Sequence, residues 1–533
     1  MSGEDTFDEI LADIGGFGKY QAITTFLICI VAITNAATHM AYVFTAMDSE
    51  YRCLIPLCDA ENPQYQVDWA KSAIPFDDLN QPNKCKKFAT VTNSSWMSNC
   101  SSIHFDRQRI ENCDAHVFKN DENYIGREYS LLCEDQLWKL SLVGTLNTAG
   151  SFFGLSVTGI ISDRFGRKIV LLYGMILCGL TGLIKSLSPT FIWFSCFEFL
   201  EGFFAAGSFV SACVLVMELV KSGNRIRITS IIFTCYAMGE VLLGVVSWAV
   251  RDWRWILYII YGPCLLLFSF YWAIPESMRW YLSKGELEKP KEILKKIARS
   301  NGKLIPETHF DKLKLTNEKE QINFIHIVKS ISLCSRLVNC IFLWVACAIL
   351  FYGLSLNSVT LAGDSYMDFI LISLAEVPGY WISSLLADNV GRRSSLAASY
   401  AITFAACMGF IFLRGTWKWI EMLFYCIGKF GATLAFILIY AVTSELFPTP
   451  LRNTAMSLCS MIARLGTLIS PQTTLLGLIW KPLPLVFFAS IAATACFLSL
   501  FLPETLNTKL PDTIEEAENI RRKNFPSIED SKR

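Results

Sequence analysis

This sequence of 533 residues has no net charge and few charged residues. Lys plus Arg and Asp plus Glu each number 47, and together they make up only 18% of the chain. Because nucleic-acid-binding proteins normally present a basic surface, we expect no nucleic-acid partner. The sequence also lacks a Gly-x4-Gly-Lys-Ser/Thr loop that would cradle phosphates, and we therefore expect no nucleotide partner and no ATP-driven pump.

Histidine is scarce as well, with only five residues in the chain. They form no His-Glu-x-x-His pair, the spacing that places two zinc ligands on one face of a helix. The sequence thus offers no catalytic residues, no metal ligands and no cofactor site, and we expect a protein that is not an enzyme. The five histidines are His39, His104, His116, His309 and His326.

The sequence does contain long apolar runs. Hydrophobic residues make up 53% of the chain, and the mean hydropathy is +0.39. About twelve blocks of about 20 apolar residues are each long enough to cross a hydrocarbon core of about 30 Å. The pattern predicts an all-α polytopic membrane protein with twelve transmembrane helices, surrounded by the lipid bilayer.

Basic residues in short loops predict the orientation of this protein in the plasma membrane. Arg164, Arg167 and Lys168 lie on the same predicted side as Arg392 and Arg393. Cytoplasmic loops carry an excess of Lys and Arg, so we place that side and both termini in the cytoplasm. The outer loop 251–254 departs from this rule. Residues 1–19 are acidic and polar, unlike a cleavable signal peptide, so the first span is expected to act as the targeting signal.

One long polar segment, about residues 47–136, contains six of the 19 cysteines. Six cysteines in an extracellular loop indicate up to three disulfides, whose pairing the sequence leaves open. Asn93 and Asn99 begin glycosylation sequons and agree with an extracellular loop. The alternative is that the sequons occur by chance and the thiols are free. The cysteines are Cys53, Cys58, Cys85, Cys100, Cys113 and Cys133.

Three motifs recur with nearly the same offset, which indicates an internal duplication. Asp163-Arg-Phe-Gly-Arg-Lys168 recurs as Asp388-Asn-Val-Gly-Arg-Arg393, and Pro275-Glu-Ser277 recurs as Pro503-Glu-Thr505. Glu218 and Arg225 recur as Glu445 and Arg452. We expect two pseudo-symmetric six-helix halves with a solute site between them near the midplane of the membrane. The predicted divisions are 1–19 (N-terminus), 20–274 (first half), 275–334 (helical linker), 335–502 (second half) and 503–533 (tail).

These motifs resemble known transporter signatures along nearly the whole chain. Gly159 to Lys168 resembles the signature loop of the major facilitator superfamily, and Pro275 to Trp280 resembles its sugar-porter-related branch. Together with the Cys-rich loop and the segments 251–254, 376–379 and 445–449, they resemble the organic cation, carnitine and organic anion transporter family, in particular the insect organic cation transporters. The resemblance implies the major facilitator fold and transport of small organic ions.

Charges in the repeated motifs are predicted to form gates. Asp163 with Arg167, and Glu218 with Arg225, are expected to latch the cytoplasmic ends of the helices and to release when the protein changes state. The alternative is that these are solvated charges of the cytoplasmic loops. Asn389 replaces Arg164 in the second copy, so we expect its latch to be weaker. The full predicted gating set is Asp163, Arg164, Arg167, Lys168, Glu218, Arg225, Asp388, Arg392, Arg393, Glu445 and Arg452.

Ionisable and aromatic residues within the apolar blocks are candidates for the solute pathway. Buried charges in a membrane are costly, and by default they mark such a pathway. Glu198 and Glu201 are among these charges; internal Glu–Lys or Glu–Arg pairs and ordinary helix packing are the alternative interpretations. The predicted solute-contacting residues are Asn35, Phe209, Phe233, Tyr236, Glu240, Trp344, Tyr352, Glu376, Lys429, Phe436, Tyr440 and Arg464.

The candidate residues favour opposite charges on the solute. In the resembled family the position of Arg464 tends to be acidic in cation carriers and Arg in anion and carnitine-type carriers, which implies a carboxylate. Glu240 and Glu201 instead favour an ammonium, and a zwitterion satisfies both. Asn35 matches a residue of sodium-coupled carnitine carriers, but Ser208 departs from their pattern. We therefore predict a monomeric, polyspecific carrier of organic cations or zwitterions; an organic anion exchanger and a non-transporting sensor are the alternatives.

Overall fold

The computed structural model describes residues 16–523 except 57, 77–81, 92–99, 101, 304–329, 362, 416, 507–510 and 512. Ten of the described helices are long and apolar enough to cross a membrane. Two further helices complete two groups of six; one contains two arginines and the other is 17 residues long. Spans 1 to 12 are Lys19–Thr45, Asp135–Phe165, Arg167–Ser186, Phe191–Leu219, Asn224–Val250, Trp253–Trp272, Ile331–Thr360, Ser365–Val390, Arg392–Leu413, Lys418–Leu446, Thr449–Ile469 and Leu483–Ser499.

Each half has its own apolar core, and a third core lies between the halves. One core belongs to spans 7 to 12 and another to spans 1 and 3 to 6. A third core joins the end of span 1 to Leu356, Tyr366 and Phe369 of the second half. Phe44 stacks on Tyr366 with ring centroids 5.5 Å apart. We call this end of the bundle the loop-domain side, because the described residues of the segment between spans 1 and 2 lie on it, and the opposite end the linker side.

The loop domain is a small, cross-linked unit. β1 (Tyr51–Cys53) pairs antiparallel with β4 (His116–Phe118), and β2 (Lys86–Thr90) pairs antiparallel with β3 (Phe105–Asn112). A short helix, Ala70–Ala73, lies between β1 and β2. Such a small apolar core is characteristic of domains that depend on disulfides. The cysteine pairs are Cys53–Cys113, Cys58–Cys100 and Cys85–Cys133.

The loop domain attaches to the membrane bundle through the segment 251–254 at the start of span 6. Asp252 caps span 6 by accepting hydrogen bonds from the backbone N–H groups of Arg254, at 2.9 Å, and Trp255, at 3.2 Å. Arg254 forms an ion pair with Glu128, which lies in the short helix Ile125–Glu128. Glu128 also accepts a hydrogen bond from the indole of Trp253 at 2.8 Å. The charges of 251–254 therefore have structural partners on the loop-domain side.

Two helices of the linker cover the base of the first half. Met278–Ser283 and Glu288–Ser300 both pack apolar side chains against the first-half core. Asn301 accepts a hydrogen bond from the backbone N–H of Tyr20 at 3.1 Å. A helix after span 12, Ile514–Lys523, lies against span 7 through the bond from Arg336 Nη1 to the carbonyl of Ala517 at 2.6 Å.

Candidate functional site

A cavity opens between spans 7, 10 and 11 of the second half. Five of its lining residues were predicted from the sequence to contact the solute. They are the aromatic residues Trp344, Tyr352, Phe436 and Tyr440, together with Arg464. The remaining lining residues are small or aliphatic apart from Ser460 and Thr467. The full lining is Trp344, Cys347, Ala348, Tyr352, Phe436, Ile439, Tyr440, Ser460, Ala463, Arg464 and Thr467.

A chain of aromatic rings leads from this cavity into the first half. Phe436 lies 5.5 Å from Tyr440 and 6.2 Å from Phe233 of span 5, measured between ring centroids. Phe233 continues to Phe209, at 5.5 Å, and Phe209 to Tyr236, at 5.0 Å. These predicted residues thus form one aromatic surface that crosses between the halves, as a midplane site requires.

Lys429 and Glu376 form a buried ion pair beside the aromatic surface. Their charged groups are 2.9 Å apart, and neither side chain is exposed (0% each). The Lys429 ammonium also donates to the carbonyl of Phe351 at 2.8 Å and to the hydroxyl of Ser355 at 2.7 Å. Tyr380 donates to the other oxygen of Glu376 at 2.6 Å. The charges of the pair therefore compensate each other, and further hydrogen bonds hold both the ammonium and one oxygen of the carboxylate, which a buried pair needs if it is not to destabilise the fold.

Glu240 of span 5 lies next to this pair, but neither member of the pair donates a hydrogen bond to it. The carboxylate is fully buried and faces Glu376, Lys429 and Ser373. Within the described part of the chain, neither of its oxygens has a hydrogen-bond partner of good geometry. A buried carboxylate without a partner is costly, and in a membrane protein it is a candidate ligand for a cation.

Tyr352 lies near both the Glu240 carboxylate and the Arg464 guanidinium. Its hydroxyl lies close enough to Glu240, Glu376 and Arg464 to interact electrostatically with all three. His39 of span 1 lies 5.8 Å from the Tyr352 ring and 3.5 Å from the Tyr236 hydroxyl. His39 was not among the predicted residues, because a single histidine in an apolar span carries no pattern of its own. Acidic and basic side chains thus lie in one neighbourhood.

Asn35 lies elsewhere in the first half. Its amide donates to the Met175 sulfur of span 3 at 3.4 Å, and its side chain is buried. It is absent from the cavity lining. The described hydrogen bond of the Asn35 side chain thus goes to a residue outside the predicted solute-contacting set.

Glu198 and Glu201 are paired with a lysine that the sequence analysis did not single out. Lys185 lies 2.8 Å from Glu198 and also forms an ion pair with Glu201, and all three side chains are at most 1% exposed. Asn147 of span 2 donates to Glu198 at 2.9 Å. Gly202 permits this packing, because a Cβ there would lie 2.2 Å from the carbonyl oxygen of Asn147. The structure thus matches the alternative interpretation, an internal Glu–Lys pair.

The repeated motifs form corresponding networks on the linker side. Glu276 accepts hydrogen bonds from the backbone N–H groups of Arg167, at 2.8 Å, and Lys168, at 3.1 Å. In the second half, Glu504 accepts from the N–H groups of Arg392, at 2.8 Å, and Arg393, at 3.2 Å. Both glutamates therefore sit at the N-terminus of a span, where a negative charge is stabilising.

Glycine is required at the turn in each copy. Gly166 and Gly391 have φ of 106° and 107°, a backbone region that other residues rarely adopt. A Cβ would lie 2.2 Å from Glu276 in the first copy and 2.6 Å from Glu504 in the second. The Pro-Glu-Ser/Thr repeat was visible in the sequence, but only the fold brings its glutamate to this turn.

The charges predicted to latch are distributed differently in the two copies. Arg167 pairs with Asp163 at 3.2 Å, while Glu218 accepts a hydrogen bond from Ser277. Arg392 pairs with both Asp388, at 3.2 Å, and Glu445, at 3.3 Å. Among the ion pairs of the described residues, Arg392 of the second copy thus contacts two carboxylates, whereas Arg167 of the first copy contacts one. Arg164 lies over the ring of Phe165.

Of the remaining predicted sites, the six cysteines form the three pairs given above. Asn93 and Asn99 lie outside the described residues. Arg225 and Arg452 each take part in further interactions of the described chain.

Comparisons with known proteins agree with this architecture. The Major Facilitator Superfamily matches residues 136–471. The chain is 31% identical to "Solute carrier family 22 member 2" of Homo sapiens, covering 97% of this chain and 96% of that protein. It is 32% identical to "Organic cation/carnitine transporter 2" of Homo sapiens, covering 96% of this chain and 93% of that protein.

Solved structures show the same fold. The proton:xylose symporter XylE bound to 6-bromo-6-deoxy-D-glucose superimposes with a TM-score of 0.59 at 14% identity, covering 94% of this chain and 99% of that chain. The inward-open xylose transporter XylE from E. coli gives 0.60 at 14% identity, covering 93% and 99%. At this identity the likeness concerns the fold alone. The prediction of twelve helices in two halves is confirmed, and the chain belongs to the Major Facilitator Superfamily and, within it, to solute carrier family 22.

Proposed function

We propose that this protein is a polyspecific carrier of small organic cations or zwitterions that works by alternating access of its two halves. Membership of solute carrier family 22 supports transport of organic ions. The name of one relative, an organic cation/carnitine transporter, supports a positively charged group on the solute. The absence of catalytic and nucleotide-binding motifs in the sequence agrees with a carrier.

The single observation that carries the choice of a cation is the carboxylate of Glu240. It is buried beside an aromatic surface and has no hydrogen-bond partner in the described chain. An incoming ammonium would compensate this charge, and the rings of Phe233 and Tyr236 would contact its apolar substituents. Ring stacking does not require one fixed geometry of hydrogen bonds, which suits a carrier of several solutes.

Arg464 extends the proposal to zwitterions. It lines the cavity together with Tyr352, and Tyr352 interacts electrostatically with both Arg464 and Glu240. A solute with an ammonium at one end and a carboxylate at the other would contact both charges. The same arginine supports the second candidate, an organic anion exchanger, in which Arg464 would be the main ligand.

Alternating access is supported by where the halves touch. On the loop-domain side, Gln472 of the second half donates to Thr145 of the first at 2.8 Å, and Ser141 lies 3.0 Å from Thr474. These contacts must break for the cavity to open toward that side. The networks around Glu276 and Glu504 lie on the linker side and would act as gates in the opposite state.

The surroundings of the carrier follow from the same argument. We place it in the plasma membrane as a monomer, with both termini in the cytoplasm and the loop domain outside. The three cysteine pairs agree with an oxidising exterior. Glycosylation of Asn93 and Asn99 would require the same orientation, and a glycosidase-induced shift in electrophoretic mobility, lost when both are changed to Gln, would test it.

Uptake into cells tests the proposed function. We would compare a labelled quaternary ammonium, a betaine-type zwitterion and an aromatic carboxylate, with and without external sodium, at equal surface expression. Saturable uptake of the ammonium or the betaine is expected. Uptake of the carboxylate alone would support the anion exchanger, and no uptake of any of the three would support a sensor on a carrier fold.

A further inference from the structure

The buried charges at the junction of the halves do not balance locally. Lys429 is the lysine beside both Glu240 and Glu376. Its ammonium forms an ion pair with Glu376 at 2.9 Å and donates to the carbonyl of Phe351 and the hydroxyl of Ser355. Among the described residues, no ion pair or hydrogen bond joins Lys429 to Glu240.

The two carboxylates therefore differ in how they are stabilised. Glu376 receives Lys429 on one oxygen and the Tyr380 hydroxyl on the other, so it can remain ionised. Glu240 has neither kind of partner in the described chain and no exposure to water. A second negative charge beside Glu376, without a donor, is unfavourable compared with a carboxyl that has bound a proton.

Glu240 is held in a closed junction between spans 5 and 8. Ser230 donates to the carbonyl of Tyr380 at 3.2 Å, and Trp381 donates to Thr234 at 3.1 Å. Farther along the same two helices, Gly244 lies directly against Ile370. Glu240 lies between these contacts, so a negative charge on it would be enclosed away from water when the halves meet, which is unfavourable.

The other ionisable groups around Glu240 do not compensate such a charge. Its own span contributes Tyr236, whose hydroxyl contacts His39. Arg464 is the remaining cation of the neighbourhood, but among the described residues no ion pair joins it to Glu240. The groups that face Glu240 among the described residues include Tyr42 of span 1, Tyr236 of span 5, Tyr352 of span 7, Ser373, Glu376 and Tyr380 of span 8 and Lys429 of span 10. His39 of span 1 and Arg464 of span 11 lie next to Tyr236 and Tyr352.

We infer that Glu240 exchanges one proton for one organic cation, so that the protein is a proton/organic cation exchanger. In the empty closed state Glu240 is a carboxylic acid. When the cation binds, the O–H bond breaks, the proton leaves to water on the side to which the cavity is open, and the carboxylate pairs with the cation. Glu240 is neutralised by a proton or by the cation when the junction closes, so each return without solute carries a proton. This inference rests on the proposed function, because it requires a cationic solute.

Purified protein in liposomes tests the exchange with tetraethylammonium, which has no ionisable proton of its own. The membrane potential is clamped at zero with valinomycin and equal potassium on both sides. With an interior more acidic by about 1.5 pH units, one-for-one exchange predicts transient accumulation of up to about 30-fold, since each pH unit is a tenfold ratio of proton concentration. Without the gradient, no accumulation above the external concentration is expected.

A binding measurement in detergent gives a second readout that does not need transport. In weak buffer with a pH-sensitive dye, saturating tetraethylammonium should release about one proton from each wild-type protein molecule. Glu240→Gln should release none and should lose accumulation driven by the pH gradient. The matched control is Glu421→Gln, because Glu421 is also largely buried but accepts a bond from the Gly415 N–H, at 2.6 Å, that glutamine can still accept.

The outcomes separate this inference from the function on which it rests. Uptake of tetraethylammonium that does not respond to the gradient, together with binding that releases no proton, would overturn the exchange and leave the cation carrier standing. Absence of both binding and uptake in monodisperse protein would overturn the cation carrier itself. If Glu240→Gln does not fold, the wild-type proton count and gradient response still decide between exchange and simple carriage.

Discussion

The ammonium nitrogen of Lys429 lies 3.4 Å from the centre of the Phe351 ring. The same nitrogen is 2.9 Å from Glu376 and is buried with it between spans 7, 8 and 10. A ring face and a carboxylate together are the environment in which proteins hold ammonium ions away from water. This part of the chain thus already binds one ammonium, its own, directly beside the aromatic surface that leads to the cavity.

Changing Arg464 to Glu should shift selectivity from anions to cations. Arg464 lines the cavity, and reversing its charge replaces attraction for a carboxylate by attraction for an ammonium. The ratio of ammonium uptake to carboxylate uptake should rise at least about tenfold, which corresponds to about 1.4 kcal/mol. Arg414→Glu, at the exposed residue directly after span 9, should leave the ratio unchanged. An unchanged ratio in Arg464→Glu would remove this residue from the site.

Lys185→Met should destabilise the first half. The substitution leaves Glu198 and Glu201 buried without their cation, and breaking a buried ion pair costs about 3–5 kcal/mol. A lower melting temperature and weaker surface expression are expected. Lys86→Met, at an exposed position of the loop domain, serves as the control.

A double variant distinguishes pairing from simple loss of a side chain. Lys185→Met with Glu201→Gln removes one uncompensated charge, so it should be more stable than Lys185→Met alone. If the double variant were the less stable of the two, the attribution to buried charge would be wrong. Thermal unfolding of the purified variants in detergent measures the difference.

Glu276→Ala should reduce turnover more than Asp163→Asn does. Glu276 accepts two backbone N–H groups at the start of span 3, a position where a charge contributes up to about 2 kcal/mol. Asp163 is 77% exposed, and exposed ion pairs contribute about 0–1 kcal/mol. The measurement is initial uptake divided by the amount of protein at the cell surface. Glu286→Ala, in the exposed part of the linker, is the control, and a larger loss in Asp163→Asn would contradict this ranking.

Cysteine substitutions should show pairwise effects in the loop domain. Removing a disulfide from a small extracellular domain typically costs about 2–5 kcal/mol. Cys53→Ser and Cys113→Ser should each impair delivery to the surface, and the double variant should be no worse than either one. Cys196→Ser, an exposed free cysteine, should have no effect. Additive losses in the Cys53 and Cys113 variants would show that the two residues act separately.

Several features of the site could be anticipated from residue type and spacing. Tyr440 and Phe436 recur at helical spacing in an apolar block, and such spacing predicts a shared face whatever the partner helix is. The repeated Pro-Glu-Ser/Thr motif indicated that its glutamate has the same role in both halves. Its role stayed open, because Glu276 is far along the chain from the turn at Gly166 whose N–H groups it binds.

The sequence by itself determined the number and length of the apolar helices, the duplication and the Cys-rich loop, because these depend on local composition and on comparing the chain with itself. Only the tertiary structure decided the partners. It paired Lys185 with Glu198 and Glu201, paired Lys429 with Glu376 instead of Glu240, and joined six cysteines in one of several arrangements. Periodicity identifies the buried face of a helix, but it does not say which helix lies opposite, and the cost of a buried charge depends on that neighbour.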